Sequence, residues 1–271
     1  MKNIVSYGGG TQSTALILMA LNGEYNLPRP DFAVYADTGG EPEFINEYVT
    51  YFIKLVKDTF NFDIYIVQYK NGLLRQLVDE PIKISKSGKK YISSNPPYFT
   101  LAKDGSKGMM QRQCTTDFKI NPIKRFIKSK IGNEIYNLWI GISFDERSRM
   151  KVSSIKNRTN YYPLVDNFIS RLDSIDYTRK WGIKMPQRSS CYFCPFHSNR
   201  YWEWLKEYHP TEFNKACGFE KAIQSRTTDY QETKLFLHRS CKPLNEVQFS
   251  DKDQLNMFPE LIDECGGECG I

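Results

Sequence analysis

The first seventy residues alternate short apolar runs with helical periodicity, and this alternation leaves the chain few folds to adopt. Asn3 to Ser6 is an apolar run ending in glycines, and Ser13 to Leu21 is an unbroken helical run closed by Asn22 and Gly23. Phe32 to Ala36 predicts a second strand, ended by Asp37-Thr38-Gly39-Gly40. From Pro42 toward Thr59, apolar residues at Phe44, Ile45, Tyr48, Val49, Phe52, Leu55 and Val56 predict a helix, and Phe62 to Val67 a third strand. Strand, helix, strand, helix, strand implies right-handed crossovers. The expected fold is therefore α/β, a doubly wound, mainly parallel sheet with helices on both faces.

The pattern dissolves between about 70 and 110 into Lys, Ser, Gly and Pro, which reads as an irregular insertion or lid carrying short helices. It returns in a basic helix from Ile120 to Ile131 and a buried strand from Leu138 to Ile142. Beyond Asn167 the chain reads as helical: Ser170 to Trp181, Arg200 to Tyr208 and Thr211 to Gln224. The expected organisation is a nucleotide-binding core over 1–165 and a helical, cysteine-bearing C-terminal region over 166–271.

A 271-residue chain that is 40% hydrophobic and 25% charged is ordinary globular material. No apolar run approaches the roughly 18 residues needed to span a bilayer, and the N-terminus polarises too early for a signal peptide. The expectation is a cytoplasmic protein without a membrane partner. The net charge of +6 suits an anionic partner, whether nucleotide or nucleic acid, and equally a solvated surface. Seven cysteines, an odd number without an export signal, point to metal or redox chemistry rather than a disulfide framework.

A strand passing through Ser6-Tyr7-Gly8-Gly9-Gly10-Thr11-Gln12-Ser13-Thr14 into a helix is a phosphate cradle. Its glycines fold tightly, present backbone N–H groups and aim a helix N-terminus at the anion. Ser13 and Thr14 add hydroxyls. Gln12 stands where a Walker A loop has Lys, so the loop is not of that type. Asp37, Thr38 and Gly39 should lie beside it at the end of the second strand, where a carboxylate can take Mg²⁺ or a ribose hydroxyl. Lys119, Lys124 and Arg125 flank the Cys114 segment, and Arg147 and Arg149, after the Gly141 strand, offer a fork suited to a phosphate or sulfate.

Together the glycine loop, Asp37-Thr38-Gly39, Arg112-Gln113-Cys114-Thr115, Gly141-Ile142 with Asp145-Glu146 and Arg149, and Cys191 to His197 resemble the 3′-phosphoadenosine 5′-phosphosulfate (PAPS) reductase family. The family lies within the PP-loop ATP pyrophosphatases, whose sheet is adenine nucleotide alpha hydrolase-like, and the resemblance is to its phage and mobile-element subgroup. It implies PAPS or ATP on the loop, contacted by Ser6, Gly8, Gly9, Gly10, Gln12, Ser13, Thr14, Asp37, Thr38, Gly39, Gly141 and Arg149. PP-loop pyrophosphatases usually carry Asp just before the loop Ser, and here the residue is Gln12.

The cysteines leave several readings open. Cys191-Tyr192-Phe193-Cys194 is a Cys-x-x-Cys knuckle, and Cys265 and Cys269 form a second close pair. Cys114, Cys191 and Cys194 with Cys265 or Cys269 could bind a [4Fe–4S] cluster, or zinc. Alternatively Glu268-Cys269-Gly270 resembles the nucleophilic tail of a sulfonucleotide reductase, which attacks sulfur and is reset by a thioredoxin-type reductant. Catalytic candidates are thus Cys269, Cys114 and Asp37. The main functional expectation is a PAPS reductase-like enzyme. The alternatives are an ATP- and Mg²⁺-dependent adenylating sulfur transferase acting on a nucleic acid or small acceptor, and a catalytically silent nucleotide-binding partner in a phage or defence system.

Overall fold

A computed structural model describes residues 1–88, 90–93, 95–183, 189–227 and 232–249. Cys265 and Cys269 lie outside the described residues.

Five parallel strands make the main sheet: β1 (Lys2–Tyr7), β2 (Phe32–Asp37), β3 (Ile64–Gln68), β8 (Tyr136–Ile140) and β9 (Arg158–Tyr161), in the order β3-β2-β1-β8-β9. The expected doubly wound sheet is present. Alternation along β2 explains its burial on both faces. Phe32, Val34 and Ala36 join Ile4, Leu138 and Ile140 on one side, while Ala33 and Tyr35 join Val5, Tyr7 and Trp139 on the other.

Helices α1 (Thr11–Leu21), α2 (Glu43–Phe60) and α6 (Arg171–Lys180) cover the second of these faces. Helix α1 is buried from Thr11 to Ala20, which is why its sequence is apolar all round instead of striped. Helix α4 (Asn121–Ile131) covers the opposite face with Ile123 and Ile127, leaving Lys124, Arg125, Lys128 and Lys130 exposed. Strand β9 was not expected from the sequence. Its residues, Arg-Thr-Asn-Tyr, carry no apolar alternation, because a short edge strand can stay polar.

The segment expected to be irregular between 70 and 110 contains α3 (Leu73–Val78) and two antiparallel pairs, β4 (Lys83–Ile84) with β5 (Lys90–Tyr91) and β6 (Phe99–Leu101) with β7 (Lys107–Met109). Strand β10 (Lys234–Phe236), from the C-terminal region, pairs with β6. The insertion and helices α7 (Asn199–Tyr208) and α8 (Pro210–Thr227) therefore share a second core, in which Leu73, Leu77, Phe118, Phe193, Trp202 and Phe219 are buried together. The short helix α5 (Pro163–Asp166) precedes α6. Among the described residues, no helix is long and apolar enough to cross a membrane.

Candidate functional site

Strand order reverses at β1, whose neighbours β2 and β8 lead away in opposite directions. In such sheets ligands bind beyond the carboxyl ends of the strands at this switch point. A cleft of about 720 Å³ opens there, lined by Ser6, Gly8, Gly10, Gln12 and Ser13 on one side and by Ile140, Gly141 and Ile142 on the other.

The loop geometry is set by local chemistry. Gly9 has φ +73°, a left-handed conformation that suits glycine. Ser13 Oγ donates to the Gly10 carbonyl at 3.1 Å and accepts from the Gly8 N–H at 3.2 Å, closing the turn on itself. Helix α1 starts at Thr11 after an extended Gly10, with no side-chain cap and no acidic residue in its first turn, so its N-terminal dipole faces the cleft unopposed. Gly141 is required by close approach: a Cβ there would stand 2.8 Å from Ser13 N and 2.9 Å from Ser13 Cα.

Six cations line the cleft, Arg112, Lys119, Lys124, Arg149, Lys151 and Arg158, and no carboxylate does among the described residues. Tyr35 adds a buried phenol whose hydroxyl has no hydrogen-bond partner among the described residues. Arg149 was expected here from the sequence, which marked Lys119 and Lys124 only as basic residues flanking the Cys114 segment. Lys151 and Arg158 were not expected, because each is a lone basic residue in a polar stretch, with no motif to mark it.

Several expected contacts are placed elsewhere. Gly9 and Thr14 support the loop from behind, and the Thr14 hydroxyl shares hydrogen bonds with Tyr48 and Tyr7. Asp37 is not part of the cleft lining: one oxygen accepts from the Gly39 N–H at 2.7 Å and the other from Gln68 Nε2 at 2.9 Å. Gly39, with φ +71°, belongs to that turn. Thr38 faces the cysteines. His238 is held between Asn199 Oδ1 and Ser240 Oγ, both at 2.8 Å, as a buried structural residue.

Cys114, Cys191 and Cys194 border a second, smaller cavity of about 30 Å³, together with Thr38, Ser190 and Phe193. Arg112, Thr115 and Lys119 line both this cavity and the larger cleft. Thr38 Oγ1 donates to the Glu41 carboxylate at 2.7 Å and lies 3.3 Å from Cys191 Sγ. Burial pushes Glu41 above its ordinary range, against the opposing charge of Lys119. Burial, then the Glu41 charge, push the Cys191 thiol well up. The burial of Glu41 beside the thiols has no local signal in the sequence.

The knuckle is fixed to the glycine loop and to the end of β2. Ser189 Oγ donates to the Gly8 carbonyl, and the Tyr192 N–H donates to the Gly40 carbonyl at 2.9 Å. A Cβ on Gly40 would stand 2.9 Å from the Phe193 ring. A zinc ion or iron–sulfur cluster needs three or four converging thiolates or imidazoles. Among the described residues, no group of three or more His, Cys, Asp or Glu side chains is gathered to hold a metal ion. The three thiols at this cavity do not make such a site by themselves, and the other two candidates, Cys265 and Cys269, are outside the described residues. Cys217 and Cys241 are buried packing residues of the second core region.

No protein-family model matches the sequence, and no curated protein matches it either. One similar solved structure is the U34-tRNA thiolase NcsA from Methanococcus maripaludis with its [4Fe–4S] cluster. It is 15% identical, with 82% of this chain and 72% of that chain covered and a TM-score of 0.43. That is a distant likeness of strand and helix layout.

Proposed function

We propose that this chain is an ATP-dependent enzyme of sulfur chemistry, in which the glycine loop takes the phosphates of ATP and the thiol cavity delivers sulfur. The observation that carries this reading is the shared wall: Arg112, Thr115 and Lys119 border both the cationic cleft and the cavity of Cys114, Cys191 and Cys194. A nucleotide activated in the first would present its reacting group to the second.

The N-terminus of α1 and the loop N–H groups suit the polyphosphate, and the six cations oppose its charge. ATP enters as its Mg²⁺ complex. An acceptor oxygen attacks the α-phosphorus and pyrophosphate leaves, its charge neutralised by cations such as Arg149 and Lys124. Hydrosulfide reaching the activated carbon from the thiol side then forms the C–S bond as the C–O bond breaks, AMP leaves with the acceptor oxygen, and the sulfur's proton passes to solvent. Thr38 and Glu41 hold Cys191 at that side.

Pyrophosphate release from ATP in the presence of acceptor, and calorimetry comparing ATP with PAPS, test the reading. The expected result is ATP binding and pyrophosphate release, with product sulfur lost in Cys191→Ser. Preferential PAPS binding with sulfite release that disappears in Cys269→Ser would replace it with the reductase reading.

A further inference from the structure

Gln12 lies in the first turn of α1, and the fold brings a carboxylate to it from 134 residues away. Gln12, only 4% exposed, donates from Nε2 to Glu146 Oε2 at 2.9 Å. Arg149 Nη1 donates to the other oxygen, Oε1, at 2.6 Å, in a pair that is mostly shielded from solvent. The Ser143 hydroxyl, fully buried, donates to Oε2 at 3.4 Å.

Gln12 and Arg149 both line the cleft, whereas Glu146 is not among its lining residues. One carboxylate thus grips a cleft side chain from each bank, the loop side and the β8 side. An unheld arginine would have to lose much rotamer freedom on meeting a phosphate. An arginine already fixed by a shielded, charge-assisted bond does not.

We infer that Glu146 is a positioning residue for polyphosphate recognition, which sets Arg149 and Gln12 against the anion that the glycine loop holds. It touches no ligand itself. The inference deepens the nucleotide reading and rests on it only for the identity of the anion; the preset arginine would serve any diphosphate.

Calorimetry with ATP, adenosine and inorganic pyrophosphate tests this on the wild-type chain, Glu146→Gln, Arg149→Ala and the double variant, with circular dichroism as a check of folding. Glu146→Gln should weaken ATP and pyrophosphate by about tenfold, the scale of one charge-assisted hydrogen bond, and leave adenosine unchanged. Arg149→Ala should do at least as much. The double variant should be weaker than Arg149→Ala only by the share that Gln12 carries, well short of the sum of the two single losses, since both changes act largely through one arrangement. Fully additive losses, or equal losses for adenosine and ATP, would overturn the assignment. Should Glu146→Gln fail to fold, Arg149→Lys serves instead. It keeps the charge but loses the fork, and wild-type pyrophosphate affinity there would also overturn it. Pyrophosphate binding that depends on Glu146 without any ATP binding would sustain the inference and sink the nucleotide reading. A wild-type chain that binds neither sinks both.

Discussion

One added carbon at Gly141 tests the closest approach in the site. The Cβ of Gly141→Ala would meet backbone atoms of Ser13, which cannot swing aside as a side-chain tip can. Overpacking of this kind costs about 1–3 kcal/mol, and here the strain falls on the glycine loop proposed to hold the phosphates. A lower melting temperature with at least about tenfold weaker ATP binding is expected, read by thermal melts and calorimetry. Gly40→Ala makes a useful contrast, because its Cβ would press on the Phe193 ring and approach Cys191 Sγ at 3.2 Å. That variant should lose sulfur product while keeping more of its ATP affinity than Gly141→Ala, as measured by product analysis and calorimetry. Motif resemblance marked Gly141 as a nucleotide contact; its crowding against Ser13 could not be read from neighbours in sequence, since 128 positions separate the two.

At the scale of elements, α8 is tied to the chain around β10 by one carboxylate. Glu220 accepts from the Leu237 N–H at 2.8 Å and the Leu244 N–H at 2.7 Å. Glu220→Gln would point an amide donor at one of these N–H groups, and an unsatisfied buried donor costs about 1–3 kcal/mol. Urea unfolding should show this loss. Burial raises the Glu220 carboxyl above its ordinary 4.5, despite the two backbone donors that favour its charged form. The folded chain therefore holds this proton at pH values where the unfolded chain has released it. Its contribution to stability grows as pH falls through the raised value toward 4.5, and is lost as pH rises through that value. Glu41, raised in the same direction, contributes with the same sign. Subtracting the Glu220→Gln profile from that of the wild type isolates the Glu220 share, and a flat difference across this window would contradict the argument.

For the whole molecule, the site joins two cores: the sheet that carries the loop and the helical region that carries the knuckle. A ligand bound only by the folded chain stabilises it by about 2.7 kcal/mol at a hundredfold excess over its Kd. ATP should raise the melting temperature accordingly, and adenosine, without phosphates, much less. Because six cations meet the anion in an open cleft, the ATP effect should weaken with added salt while the adenosine effect stays nearly constant. Melting scans across a sodium chloride series check both.

The sequence by itself determined four of the sheet's five strands and the loop, because each is local. Apolar periodicity specifies strands and helices one at a time, and three glycines before a helix specify a turn that presents N–H groups. It also marked Cys114 and the Cys191–Cys194 knuckle, which the fold brings to one cavity. Only the tertiary structure gathered the cleft's charges. Arg112 and Lys119, Arg149 and Lys151, and Arg158 come from three stretches of sequence that share no period, so their convergence follows from how the layers pack. The same packing turned Asp37 toward Gly39 and Gln68, and brought Glu146 to Gln12. A side chain's partner across the fold is fixed by three-dimensional proximity, and residue order does not encode that locally.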